Sequence, residues 1–87
     1  MRKAYVLIDT VEDKVASVAS AVRYKRGVVA VDIVGGAHNI IAIVESKDTQ
    51  AMAKATLVEI PGIEGVTNTV ICPVIGTEDQ APQEGEG

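Results

Sequence analysis

The sequence predicts one α+β domain of the ferredoxin-like type, with element order βαββαβ and two helices on one face of a four-stranded antiparallel sheet. Three observations lead there. Short β-branched runs alternate with segments in which apolar residues recur at helical spacing. The glycine pair Gly35-Gly36 interrupts the most apolar part of the chain, between Val28 to Val34 and Ile40 to Val44. Hydrophobic residues make up 47% of the 87 positions although Trp and Phe are absent, so Val, Ile, Ala and a little Leu must build a single small core.

The first strand is expected from Ala4 to Asp9. Thr10 then opens a helix, with Asp13 three positions on as an approximate capping box. Val11, Val15, Val18, Ala19 and Val22 form its apolar face, Tyr24 lies near its end and Gly27 stops it. Valine is a mediocre helix former, so packing must hold this segment. Arg23, Lys25 and Arg26 fall where the helix ends, and cations there complement the helix dipole.

Strands two and three are expected at Val28 to Val34 and Ala37 to Glu45, joined by a tight Gly35-Gly36 turn, since glycine supplies the positive φ that two-residue hairpins require. Asp48 or Ser46 can cap a second helix reaching about Glu59, with Ala51, Ala55 and Val58 on one face, and Pro61-Gly62 ends it. The last strand spans about Val66 to Ile75. Pro73 within it favours an edge position, and Asp32 suits an edge in the second strand.

The strands are apolar on both faces. Val6 and Ile8 oppose Tyr5 and Leu7; Val29, Val31 and Ile33 oppose Ala30 and Val34; Ile40, Ala42 and Val44 oppose Ile41 and Ile43. A sheet with one solvated face alternates with polar residues instead, and two helices cover one face only. The uncovered face is therefore expected to pack against a second copy.

Charge divides the chain. Glu78, Asp79, Glu84 and Glu86 lie in the last eleven positions, leaving eight acidic against eight basic side chains before them, so the net charge of −4 belongs to the end. Residues 1–76 are expected as the domain and 77–87 as an acidic disordered tail. With no basic excess and no aromatic stacking platform, direct nucleic-acid binding is not expected. No run approaches membrane-spanning length and no export signal is evident, so the expected location is the cytoplasm. Cys72 has no intrachain partner, and its setting Val70-Ile71-Cys72 suggests an inert core thiol.

Ala4-Tyr5-Val6-Leu7-Ile8, then Val34-Gly35-Gly36-Ala37-His38-Asn39, then Ile60-Pro61-Gly62-Ile63-Glu64-Gly65-Val66-Thr67-Asn68-Thr69-Val70-Ile71 resemble the effector-binding module of the leucine- and asparagine-responsive (Lrp/AsnC) regulators, the RAM domain. The resemblance covers Ala4 to Ile75, with two extra residues between Pro61-Gly62 and Gly65-Val66. The DNA-binding domain of those regulators has no counterpart in this sequence, which resembles the stand-alone form. The resemblance implies a dimeric α/β barrel closed sheet to sheet, assembly into tetramers or octamers, and an amino-acid effector held between dimers near the hairpin. The family's hairpin motif is glycine, any residue, tyrosine or phenylalanine, then aspartate. Gly36 and Ala37 match its first two places, while His38 and Asn39 stand where the aromatic and the aspartate would be. Thr67 and Thr69 match a threonine pair whose hydroxyls can reach a carboxylate or amide. The implied ligand-binding residues are therefore Gly36, Ala37, His38, Asn39, Thr67 and Thr69, with no metal or other cofactor.

A non-enzymatic, amino-acid-binding regulatory module is the leading expectation. A scaffold that co-assembles with full-length regulators or an enzyme, its pocket vestigial, is the alternative, because Asn39 lacks the family's negative charge. A small dimeric α/β-barrel enzyme is a third reading, since this architecture hosts several chemistries. It has little support: Ser17, Ser20 and Ser46 lack a spaced histidine and acid, and no carboxylate pair stands out. His38, the one histidine, is placed to couple protonation to assembly or ligand charge if it lies at an interface.

Overall fold

The computed structural model describes residues 2–76; the segment 77–87, expected as an acidic tail, lies outside the described residues. The elements are β1 (Arg2–Thr10), a 3-10 turn (Glu12–Lys14), α1 (Val15–Arg23), β2 (Val28–Ile33), β3 (Ile40–Ser46), α2 (Thr49–Lys54) continuing into a π turn (Ala55–Glu59), and β4 (Val66–Pro73). The sheet is antiparallel in the order β2-β3-β1-β4, so β1 and β3 are central and β2 and β4 form the edges. This is the ferredoxin-like arrangement, and it places both Asp32 and Pro73 on edge strands.

One face of the sheet carries the core. Val6 and Ile8 of β1 and Ile40, Ala42 and Val44 of β3 pack with Val18 and Val22 of α1 and with Ala55 and Ile60 from the second helical segment. Burying each valine or isoleucine side chain of this set contributes about 1.5–3 kcal/mol, and this holds a helix as rich in valine as α1.

Several boundaries differ from expectation, each for a local reason. The Thr10 hydroxyl donates to the Val11 carbonyl at 2.9 Å, so no capping box forms and the 3-10 turn precedes α1. Val11 consequently stays exposed. The tight Gly35-Gly36 turn is replaced by a loop over residues 34–39, closed by the Val34 N–H donating to the Asn39 carbonyl at 2.9 Å. Of the two glycines only Gly36 has positive φ, at 102°, whereas a two-residue I′ or II′ turn centred on the pair needs it at Gly35, the first central residue. In β2 a bulge between Val28 and Ala30 puts Val28, rather than Val29, on the core side with Val31 and Ile33.

Asp48 caps α2 as expected, its carboxylate accepting the Gln50 N–H at 2.9 Å. The π turn then carries an i→i−5 bond from the Ile60 N–H to the Ala55 carbonyl at 3.0 Å. Its extra residue rotates the apolar stripe, so Ala55, Thr56 and Ile60 are buried while Leu57 and Val58 point outward. Val58 is thus not on the core face where helical spacing had put it.

Gly65 ties β4 to α1. Its φ is +100°, a Cβ there would lie 2.9 Å from the Lys14 Cβ and 3.0 Å from a Val18 methyl, and its carbonyl accepts the Val11 N–H at 2.8 Å. The sequence motif Gly65-Val66 is therefore a packing requirement as well as a strand start.

The other face of the sheet has no helix. Paired residues share a side, which puts Tyr5 and Leu7 with Ile43 and Ile41, then with Cys72 and Val70, and adds Ala30 and, at the β2 edge, Asp32. Lys3 opposes Glu45 at one end of this aliphatic surface and Asp9 opposes Asn68 at the other. Cys72 is exposed here, contrary to its reading as a core thiol, because β4 sets Thr69, Ile71 and Pro73 on the side of Ile8, Val6 and Ala4 while Cys72 shares the side of Tyr5. Among the described residues no helix is long and apolar enough to cross a membrane, which says nothing of a β-barrel.

Candidate functional site

The loop over residues 34–39 projects beyond the end of the sheet, and its two halves do different work. Gly35, Gly36 and Ala37 are exposed, and nothing lies within 4 Å of the position a Cβ would take at Gly35 or Gly36. The tip thus leaves backbone open to an approaching group. His38 and Asn39 instead turn back onto the end of β1.

Asn39 continues the sheet. Its N–H donates to the Ile8 carbonyl at 3.0 Å, and its Oδ1 accepts the Thr10 N–H at 2.9 Å. The backbone donor fixes the amide orientation, so Oδ1 is engaged and the Nδ2 hydrogens remain as donors. A ligand meeting Asn39 therefore meets a donor, suited to a carboxylate, rather than the acceptor that the family's aspartate would offer.

His38 finds a carboxylate that sequence spacing did not suggest. Its Nδ1 lies 2.8 Å from Asp9 Oδ1, and both side chains are about a third exposed. An ionised carboxylate only accepts, so the imidazole proton sits on Nδ1 and Nε2 faces outward as an acceptor while the ring is neutral. Asp9 belongs to the open side of β1, opposite Asn68 of β4. His38, Asp9 and Asn68 thus form a polar rim at one end of the aliphatic face.

The threonine pair is divided by the register. Thr69 pairs with the fully buried Ile8 and so lies on the helix-covered side, away from His38 and Asp9. Thr67 sits in the irregular stretch where the β1–β4 register shifts and is exposed. The structure therefore brings Gly36, Ala37, His38 and Asn39 together with Asp9 and Asn68, and sets Thr69 apart from them. Asp9 is 29 residues from His38 in the chain, so only the sheet joins them. The available signal was alternation: the side of β1 that carries Lys3, Tyr5 and Leu7 ends in Asp9.

The cluster offers an anion, an imidazole and amide donors, which suit recognition of a small zwitterion by charge-assisted hydrogen bonds. Among the described residues no thiol adjoins it, and the nearby Thr10 hydroxyl donates to the Val11 carbonyl. Cys72 pairs with Tyr5, four strand positions from Asp9, a separation of about 13 Å.

The chain is similar in structure to TTHA0845 from Thermus thermophilus, with a TM-score of 0.83 and 26% identity over 88% of this chain and 96% of that one. It is also similar to AsnC of E. coli, with a TM-score of 0.79 and 14% identity over 87% of this chain and 52% of that one. A third likeness is to the transcriptional regulator NMB0573 from Neisseria meningitidis, solved as a complex with L-Met, with a TM-score of 0.74 and 17% identity over 86% and 50% of the two chains. The chain thus spans about half the length of these two regulators and nearly all of the Thermus protein. No family model matches the sequence, and no curated protein does. The shared architecture is the ferredoxin-like α+β fold, which the sequence resemblance implies.

Proposed function

We propose, with the RAM-type fold as premise, that the protein is an oligomeric regulatory module that binds an amino acid and is not an enzyme. The observation that carries this is the open face of the sheet, aliphatic along the central strands β1 and β3, bordered by Asp32 on the β2 edge and ending in the His38–Asp9–Asn68 rim. Soluble monomers seldom expose so continuous an apolar surface. A second copy covering Tyr5, Leu7, Ile41 and Ile43 gives the dimeric α/β barrel. Tetramers or octamers of such dimers bring the exposed Gly36-Ala37 tip against a neighbouring dimer, and the effector lies there. Its ammonium meets the Asp9 carboxylate; its own carboxylate meets the Asn39 amide and the loop N–H groups. The L-Met bound to the Neisseria regulator makes an apolar amino acid the first to test. The ligand acts by population shift, favouring the assembly for which it has the higher affinity. Neither a metal nor another cofactor takes part, and the module works in the cytoplasm without touching nucleic acid itself.

The test is thermal unfolding against the twenty amino acids, paired with sedimentation across micromolar concentrations. A ligand at 100 times its Kd adds about 2.7 kcal/mol to stability, so a saturable rise in Tm is expected for L-Met or a similar residue. A monomer with a flat response at millimolar ligand overturns the proposal. Asn39→Asp keeps an acceptor for the Thr10 N–H but replaces the Nδ2 donor with a negative charge beside the ligand carboxylate, so it should weaken amino-acid binding in the same titration; unchanged or tighter binding counts against this pose.

A scaffold that co-assembles with full-length Lrp/AsnC-type regulators is the second reading. It is favoured by the fact that Asn39 Oδ1 and Asp9 Oδ1 already have partners inside the protomer. Mixed oligomers together with a flat amino-acid response would select it.

A further inference from the structure

A groove of about 510 Å³ runs between the second helical segment and the β1–β4 side of the sheet, within the size range of small-ligand sites. Ala4, Met52, Ala53, Leu57 and Ile71 line it, and Arg2 stands at its end. The π turn makes the groove. By inserting a residue between Ala55 and Ile60, it swings Leu57 out of the core, 63% exposed, and leaves an apolar wall where a regular helix would have packed. Such turns concentrate at functional sites. The buried Thr56 hydroxyl on the floor already donates to the Met52 carbonyl at 2.9 Å, so the groove asks for no polar partner along its length.

Charge sets the end of the ligand. No carboxylate lines the groove among the described residues, so an ammonium would find no partner there. Lys3 also borders the groove, but its side chain alternates to the open side of β1, where its Nζ lies 5.5 Å from the Tyr5 ring centroid. Arg2 alternates to the same side as Ala4, is exposed, and forms no ion pair among the described residues. A guanidinium offers a carboxylate two parallel hydrogen bonds. We propose that this groove binds an aliphatic monocarboxylate, its chain laid along Met52, Leu57 and Ile71 and its carboxylate held by Arg2.

The site is separate from the hairpin rim. Arg2 and Asp9 are seven strand positions apart, about 23 Å, and on opposite sides of β1. The groove also lies on the helix-covered side, so pairing of open sheet faces leaves it accessible.

Sodium octanoate below its micellar range is the probe, titrated into the full chain with the methyl resonances of Met52, Leu57 and Ile71 as reporters and octylammonium as control. Saturable shifts confined to those methyls are expected, with no response to octylammonium. Arg2→Gln, at an exposed position, keeps the fold and should weaken octanoate at least about tenfold. Ala53→Trp fills the groove and should abolish octanoate binding while leaving any amino-acid response at the hairpin intact. Silence at millimolar octanoate, equal affinity in Arg2→Gln, or shifts centred on Leu7, Ile41 and Ile43 of the open face would each overturn the assignment.

Discussion

The two faces of β1 are built from nearly the same kinds of residue and meet different fates. On one side Ala4, Val6 and Ile8 disappear beneath the helices; on the other, Tyr5 and Leu7 remain uncovered and lead to Asp9. Hydropathy therefore does not say which atoms cover a strand, only that something must. What separates the faces is the helices' stock of complementary side chains: Val18, Val22, Ala55 and Ile60 suffice for one layer and leave none for a second.

Substitutions can break this contrast or make it sharper. The largest effect is expected from Ile8→Ala on the covered side, a loss of about 3 kcal/mol in denaturant unfolding, since a closed core cannot collapse around the cavity. Gly65→Ala should follow at about 2 kcal/mol. It forces a side chain into a positive-φ backbone and drives a Cβ against Lys14 and Val18, loosening the helix that does the covering. On the open side, Ile41→Lys should leave the circular-dichroism spectrum unchanged and cost less than about 1 kcal/mol in the dilute monomer. Its signature is a Tm that no longer rises with protein concentration, and an unchanged concentration dependence would mean that this face does not mediate association. The smallest effect belongs to Asp48→Ala, about 1 kcal/mol, seen as fraying of α2 by hydrogen exchange.

Much of the architecture was legible because period and punctuation agreed. The β-branched runs, the Asp48 cap and the Pro73 edge each pointed to the element the structure contains. What the pattern missed came from contacts between distant segments. The hairpin widened because Thr10 and Asp9, far back in the chain, recruit Asn39 and His38. Val58 left the core because one extra residue entered the helix as a π turn, which apolar spacing alone cannot reveal. The loop half of the candidate site was readable from Gly36 to Asn39, whereas Asp9 and Asn68 joined it through sheet register, and the same register moved Thr69 to the other side.

The strand order has a consequence in time. β1 is central, yet its neighbour β4 pairs Ala4 with Pro73, so the earliest strand made waits for the latest. Closing that loop carries an entropic cost before any contact rewards it, which places the domain below helical bundles of its size in folding rate. On the ribosome, β1 and β3 can meet while the β4 side of β1 stays open, an unprotected edge on a strand that is apolar both ways. Docking of β4 onto β1, with Pro73 opposite Ala4, is thus the step that removes this edge.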